Sequence, residues 1–127
     1  MSKTPLVSTR GLEKVYASGS KVAALRGVDL TVERGEFAAL AGPSGSGKST
    51  LLNIIGTLDR PTRGRVLYSG RDVTALDVDA LSDFRLANLG FIFQAYNLIP
   101  VLTAVENVEY PLVLRGAPPA SRRAAAL

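Results

Sequence analysis

The run VDLTVE, residues 28–33, alternates apolar and polar positions without a break. A period of two puts Val28, Leu30 and Val32 on one face of a half-exposed strand. Arg34 and Gly35 follow as a turn. FAALA, residues 37–41, is apolar throughout, which predicts a strand buried on both faces, the habit of parallel sheets covered by helices above and below. That strand leads directly into a glycine-rich loop. Beyond the loop, TLLNIIG is dense in apolar residues and has no breaker before Gly56, so the pattern predicts a helix from about Lys48, buried on most sides.

Further along, residues 65–68 and the stretch around Val73 read as short strands flanking a turn at Ser69 and Gly70. Residues 79–87 form a short helix, with Leu81 and Phe84 three apart, that stops before Gly90. LGFIF, residues 89–93, repeats the signature of a buried strand. Thr103 is followed three residues later by Glu106, the capping-box spacing, so a helix starts near Thr103. Val101, Val105, Val108 and Leu112 then share one helical face, and Pro111 disturbs the helix. After RGAPPA, the tail SRRAAAL reads as the opening of another helix, so the chain ends inside an element. No internal repeat is visible.

The loop between the predicted strand and helix carries chemistry. AGPSGSGKST, residues 41–50, meets the pattern G-x-x-x-x-G-K-[ST] through Gly42, Gly47, Lys48 and Ser49, with the strand before and helix after that the motif requires. Gly42, Gly45 and Gly47 allow backbone conformations closed to residues with a Cβ, so the amides of residues 44–49 can turn inward around phosphate oxygens. Pro43, Ser44 and Ser46 complete the loop. The helix N-terminus adds partial positive charge. Lys48 brings a full cation on a flexible stem to the β- and γ-phosphates, Ser49 offers a hydroxyl to Mg²⁺, and Thr50 can bond the α-phosphate.

Composition narrows the remaining possibilities. With 46% hydrophobic and 20% charged residues in 127, the chain suits one globular domain. The net charge of +4 comes from basic residues scattered singly, apart from the pair Arg122 and Arg123, so a solvated surface is expected and no nucleic-acid partner. There is no cysteine and no histidine, which removes disulfides, thiolate zinc sites and imidazole acid–base catalysis. The first residues carry no apolar core of a secretory signal, and no run reaches the ~20 apolar residues of a membrane-spanning helix, so the expected location is cytoplasmic, with the membrane reached only through a partner.

With GFIFQAYNLIP and LTAVENV beside the phosphate loop, the chain resembles the N-terminal part of an ATP-binding-cassette (ABC) transporter ATPase. Within that family it is most similar to the lipoprotein-release and macrolide-export type. The resemblance implies an α/β fold of the P-loop NTPase class with an N-terminal antiparallel β subdomain. It implies ATP and Mg²⁺ as cofactors, a second cassette as dimer partner, and a transmembrane permease subunit that holds the cassette peripherally on the inner face of the membrane. It divides the chain into a mainly β part (1–36), the P-loop strand and helix (37–58), a β part with a connecting helix (59–88), a strand and Q-loop (89–102) and the start of a helical subdomain (103–127).

The same resemblance gives roles to further residues. Gln94 matches the Q-loop glutamine, which joins Lys48 in the catalytic set and Ser49 as a Mg²⁺ ligand; as a bare residue it is equally a polar end to a strand. Tyr16 matches the aromatic that stacks on adenine, with Val22 beside the ring; taken alone it is a loop tyrosine. The apolar stretch from Tyr96 to Leu112 is either core or, by resemblance, the surface that receives a helix of the permease. The family's signature, the strand ending in Asp and catalytic Glu, and the switch histidine have no counterpart, since the chain has no Gly-Gly pair, no Asp-Glu pair and no histidine. The expected fold is therefore truncated before the signature and Walker B segments, leaves strand edges bare and is poorly soluble alone. Two alternatives to a transporter ATPase remain: a short regulatory chain that binds ATP without hydrolysing it, and a nonfunctional fragment.

Overall fold

A computed structural model describes residues 4–17 and 19–127. The elements run β1 (Val7–Tyr16), β2 (Val22–Val32), α1 (Lys48–Ile55), β3 (Arg63–Tyr68), β4 (Arg71–Asp72), α2 (Val78–Asn88), α3 (Ala104–Leu114) and α4 (Pro119–Ala126). By contact density the chain divides into two units, Met1–Leu81 and Ser82–Leu127.

The first unit is built on an antiparallel sheet of order β2-β1-β3-β4. The alternation expected over residues 28–33 is present: Val28, Leu30 and Val32 are half-buried and Asp29 and Thr31 exposed. Opposite them, β1 contributes Val7, Thr9 and Leu12 to the interior. Its register against β2 shifts between Thr9 and Leu12, where Gly11 takes a φ of 54° and donates its N–H to Asp29 Oδ1 at 2.6 Å. A bulge of this kind bends the strand and increases its twist. Ser69 and Gly70, with φ of 49° and 84°, make the turn between β3 and β4, and positive φ at both central residues is what a tight hairpin matching the sheet twist demands.

Helix α1 packs one face inward. Leu51 and Ile54 are buried, whereas Leu52 is 56% exposed and Asn53 is also outside, so the helix expected to be buried on most sides is amphipathic here. The Tyr68 hydroxyl donates to the Ile55 carbonyl at 2.6 Å, fastening the helix C-terminus to β3. Burial pushes that phenol up to about 12, which keeps it protonated and donating at neutral pH. Val66, Val73 and Leu81 complete the core with Ile54, Leu12, Leu25, Leu51 and Val7.

The two strands expected at residues 37–41 and 89–93 do not form. Both segments lack regular secondary structure, and Phe37 and Ile92 are fully exposed. A parallel strand acquires its burial and its ladder bonds from neighbours on either side, and no strand among the described residues runs beside either segment.

In the second unit α3 begins as expected. Thr103 is the N-cap, its hydroxyl accepting from Glu106 N–H while Glu106 Oε2 accepts from Thr103 N–H at 2.7 Å. The Thr103 hydroxyl and amide together hold the Glu106 carboxyl below its ordinary range. Pro111 lies inside α3 without ending it. The expected apolar face divides: Val105 and Leu112 are half-buried, Val101 and Val108 exposed, and the buried residue of the helix is Glu109. Glu109 faces α4, where Arg122 Nε lies 3.5 Å and Arg123 Nη1 3.4 Å from its oxygens. Periodicity locates a face but not what it packs against, and here two arginines fill the place of apolar partners.

Candidate functional site

The glycine-rich loop begins after β2. Its course is set by three glycines with different duties. Gly45, with a φ of 80°, sits in a turn closed by the Ser46 N–H bonding the Pro43 carbonyl at 3.2 Å. Gly47 is the N-cap of α1 with a φ of 94°, and a Cβ on it would lie 2.6 Å from the Ala24 carbonyl oxygen of β2. Both conformation and space therefore exclude a side chain there. At Gly42 the demand is weaker, since a Cβ would meet only the Ser46 side chain, with Oγ at 2.8 Å, which can turn aside.

Lys48 turns back over this loop. Its ammonium donates to the carbonyls of Gly42 and Pro43, each at 2.8 Å, and to Ser46 Oγ at 3.3 Å. The N–H groups of Lys48, Ser49 and Thr50 head α1, where the first turn has no intrahelical acceptors, and the helix carries neither a side-chain cap nor an acidic residue in that turn. Nothing there offsets the positive end of the helix dipole. Ser49 is exposed, and Thr50 half-buried beside it.

Tyr16 and Val22 are register partners at the open end of the β1-β2 pair, 37% and 55% exposed. The Tyr16 hydroxyl donates to Asp59 Oδ2 at 2.9 Å, and Lys14 Nζ lies 4.9 Å from the ring centroid while donating to Asp59 Oδ1 at 2.7 Å. Burial pushes the Asp59 carboxyl up, but hydrogen bonds from Lys14, Tyr16 and the Arg60 amide, with the Lys14 charge, outweigh it and hold the group below its ordinary value. Sequence reasoning missed Lys14 and Asp59. The spacing of Lys14 and Tyr16 along a strand puts both on one side, but nothing local points to a carboxylate more than forty positions away.

Gln94 belongs to the second unit and lies on the exposed stretch that follows Phe93. Just before it the rings of Phe91 and Phe93 stack, 5.6 Å apart and 5° from parallel. Among the described residues no cluster of three or more carboxylates, histidines or cysteines could hold a metal. The loop's glycines, the Lys48 ammonium and the hydroxyls of Ser49 and Thr50 are the groups that could hold a phosphate chain, with the Ser49 oxygen able to serve as a donor to a hard cation.

The profile of the family described as ABC transporter matches residues 25–127. The chain belongs to the ABC transporter family. It is similar to the lipoprotein-releasing system ATP-binding protein LolD of Anaeromyxobacter dehalogenans (strain 2CP-C), with 56% identity over 87% of this chain and 46% of that one. It is similar also to the pyoverdine export ATP-binding/permease protein PvdT of Pseudomonas syringae pv. syringae (strain B728a), at 52% identity over 98% of this chain and 20% of the relative. The macrolide export ATP-binding/permease protein MacB of Marinobacter nauticus (strain ATCC 700491 / DSM 11845 / VT8) is 49% identical over 99% and 20%.

Among solved structures, the dimeric post-hydrolysis state of the ATP-binding cassette MJ0796 bound to ADP and Pi matches with a TM-score of 0.88 and 48% identity, covering 94% of this chain and 53% of that one. The fold is thus that of the N-terminal part of an ABC ATPase cassette, of the lipoprotein-release and macrolide-export type. The ABC chain spans about a fifth to a half of the length of these relatives. No helix among its described residues is long and apolar enough to cross a membrane.

Proposed function

We propose that this ABC chain is the nucleotide-binding portion of an exporter-type ATPase, taking MgATP through residues 42–50 and Tyr16. The observation that carries the reading is the loop itself: Gly47 is wedged against the β2 backbone, and Lys48 is folded inward beside the unoffset N-terminus of α1. In that arrangement the amides of residues 44–49 take the α- and β-phosphates, Lys48 reaches the β- and γ-phosphates, Thr50 bonds the α-phosphate and Ser49 ligates Mg²⁺. Mg²⁺, when bound, neutralises charge on the phosphates. Tyr16 presents its ring to adenine with Val22 alongside, and Gln94, by its match to the Q-loop glutamine, is proposed as a Mg²⁺ ligand and a member of the catalytic set.

The proposal extends to a cassette that dimerises and drives a transmembrane permease from the cytoplasmic face. The relatives named for lipoprotein release, pyoverdine export and macrolide export support that class of work. Within these 127 residues there is no histidine and no Asp-Glu pair, so the machinery that polarises the attacking water is not supplied by them. The 127-residue chain is accordingly expected to bind MgATP without turning it over.

Isothermal titration with MgATP tests the assignment. Lys48→Ala should weaken binding by about a hundredfold or more, the loss expected for a charge-assisted contact to a phosphate, with an unchanged far-ultraviolet circular dichroism spectrum. Equal affinity in the variant would remove residues 42–50 from the site.

A further inference from the structure

Tyr16 is held at two points. Its hydroxyl is taken by Asp59 Oδ2 and one ring face by the Lys14 ammonium, while Asp59 spends its other oxygen on that same ammonium. Lys14 Nζ also donates to the Arg60 carbonyl at 2.7 Å, so the three side chains and one backbone group form a closed network. The network ties the end of β1 to the segment that leaves α1. Leu58 and Asp59 both donate their amides to the Asn53 carbonyl, at 2.8 and 3.2 Å, and Thr62 bonds back to β1 through Glu13 O and Val15 N–H. The helix that begins at Lys48 is thus connected through its C-terminal turn to the ring of Tyr16.

We infer that Lys14 and Asp59 are positioning residues for nucleotide binding: they fix the tilt of the Tyr16 ring and its span from helix α1, so that a base stacks on the ring while its phosphates lie in the loop. The ammonium occupies one face, and Tyr16 remains 37% exposed as a residue, which leaves surface for a planar base to meet. With its hydroxyl committed to Asp59, the ring has lost the freedom to swing about its side-chain torsions. Ordering that would otherwise be paid on binding is built into the fold. The inference rests on the stacking role proposed for Tyr16, and its test separates the two.

The experiment compares two probes on the full-length protein, MgATP and magnesium tripolyphosphate, the second having phosphates and no base. Tyr16→Ala should weaken MgATP binding about tenfold, the worth of one aromatic stack. Asp59→Asn and Lys14→Met should each weaken it about three- to fivefold, with Lys14→Arg restoring most of the loss. Tripolyphosphate affinity should be unchanged in all of them. Tyr16→Phe, which removes only the hydroxyl, should match Asp59→Asn, and the double variant should lose no more than either.

Wild-type MgATP affinity in Asp59→Asn and Lys14→Met, with Tyr16→Ala still weak, overturns the positioning role and leaves stacking in place. Equal weakening for both probes shows a general loss of fold and overturns it too. Wild-type affinity in Tyr16→Ala removes the stacking reading, and the inference falls with it.

Discussion

The two units of the chain are held together by different physics. Every buried apolar side chain described lies in Met1–Leu81, from Val7 to Leu81, whereas in Ser82–Leu127 the buried residue is Glu109. The sheet unit is closed by area removed from water; the helical unit is closed by polar contacts. In the latter, the Asn107 side chain joins four backbone groups, its Oδ1 accepting from Ile99 N–H and its two Nδ2 hydrogens shared among the carbonyls of Ile99, Leu102 and Thr103. Glu109 meets its two arginines, and Thr103 its capping glutamate. Hydrogen bonds contribute modest net stability each but specify geometry, while burial contributes more and is indifferent to direction. The loop bearing Lys48 sits on the strongly buried unit, and Gln94 on the other.

Substitutions that respond to only one of these forces test the contrast. Ile54→Ala in the sheet unit should cost about 3 kcal/mol, the transfer and cavity terms together, in urea unfolding followed by circular dichroism. No apolar truncation in the helical unit should approach that figure, and one that did would erase the distinction. Thr103→Ala should cost about 1 kcal/mol, the worth of an N-cap, seen as faster amide exchange in the first turn of α3. Smallest of all, Ile92→Ser should change the stability of the 127-residue chain by less than about 0.5 kcal/mol while lowering the binding of an apolar fluorescent dye. A cost of a full kcal/mol or more would mean that residue 92 is packed.

The difference also explains what the sequence could disclose. The capping box at Thr103 and Glu106, the turn at Ser69 and Gly70, and the glycines of residues 42–47 were legible because each answers a local demand: a free amide, a positive φ, a close approach. The strands expected at residues 37–41 and 89–93 rested on apolarity, which says that a segment seeks cover but not that cover lies within reach. The stripe from Val101 to Leu112 divides for a related reason, with Val105 and Leu112 half-buried and Val101 and Val108 exposed, since periodicity does not say which part of a face finds cover. The network of Lys14, Tyr16 and Asp59 was invisible because it depends on chain distant in sequence, brought near only when β1 and the exit from α1 have both taken their places.

Helix α1 is only eight residues long, yet it is secured at each end: Gly47 abuts Ala24 at the start, and Tyr68 holds Ile55 at the finish. A helix of that length has almost no stability of its own in water. Its hydrogen bonds therefore survive on credit from the sheet, and the amides of Leu51 and Gly56 should exchange with solvent at the rate at which the whole sheet unit opens, not by fraying of the helix. The glycine-rich loop thereby inherits a lifetime far longer than so short and exposed a segment could claim for itself.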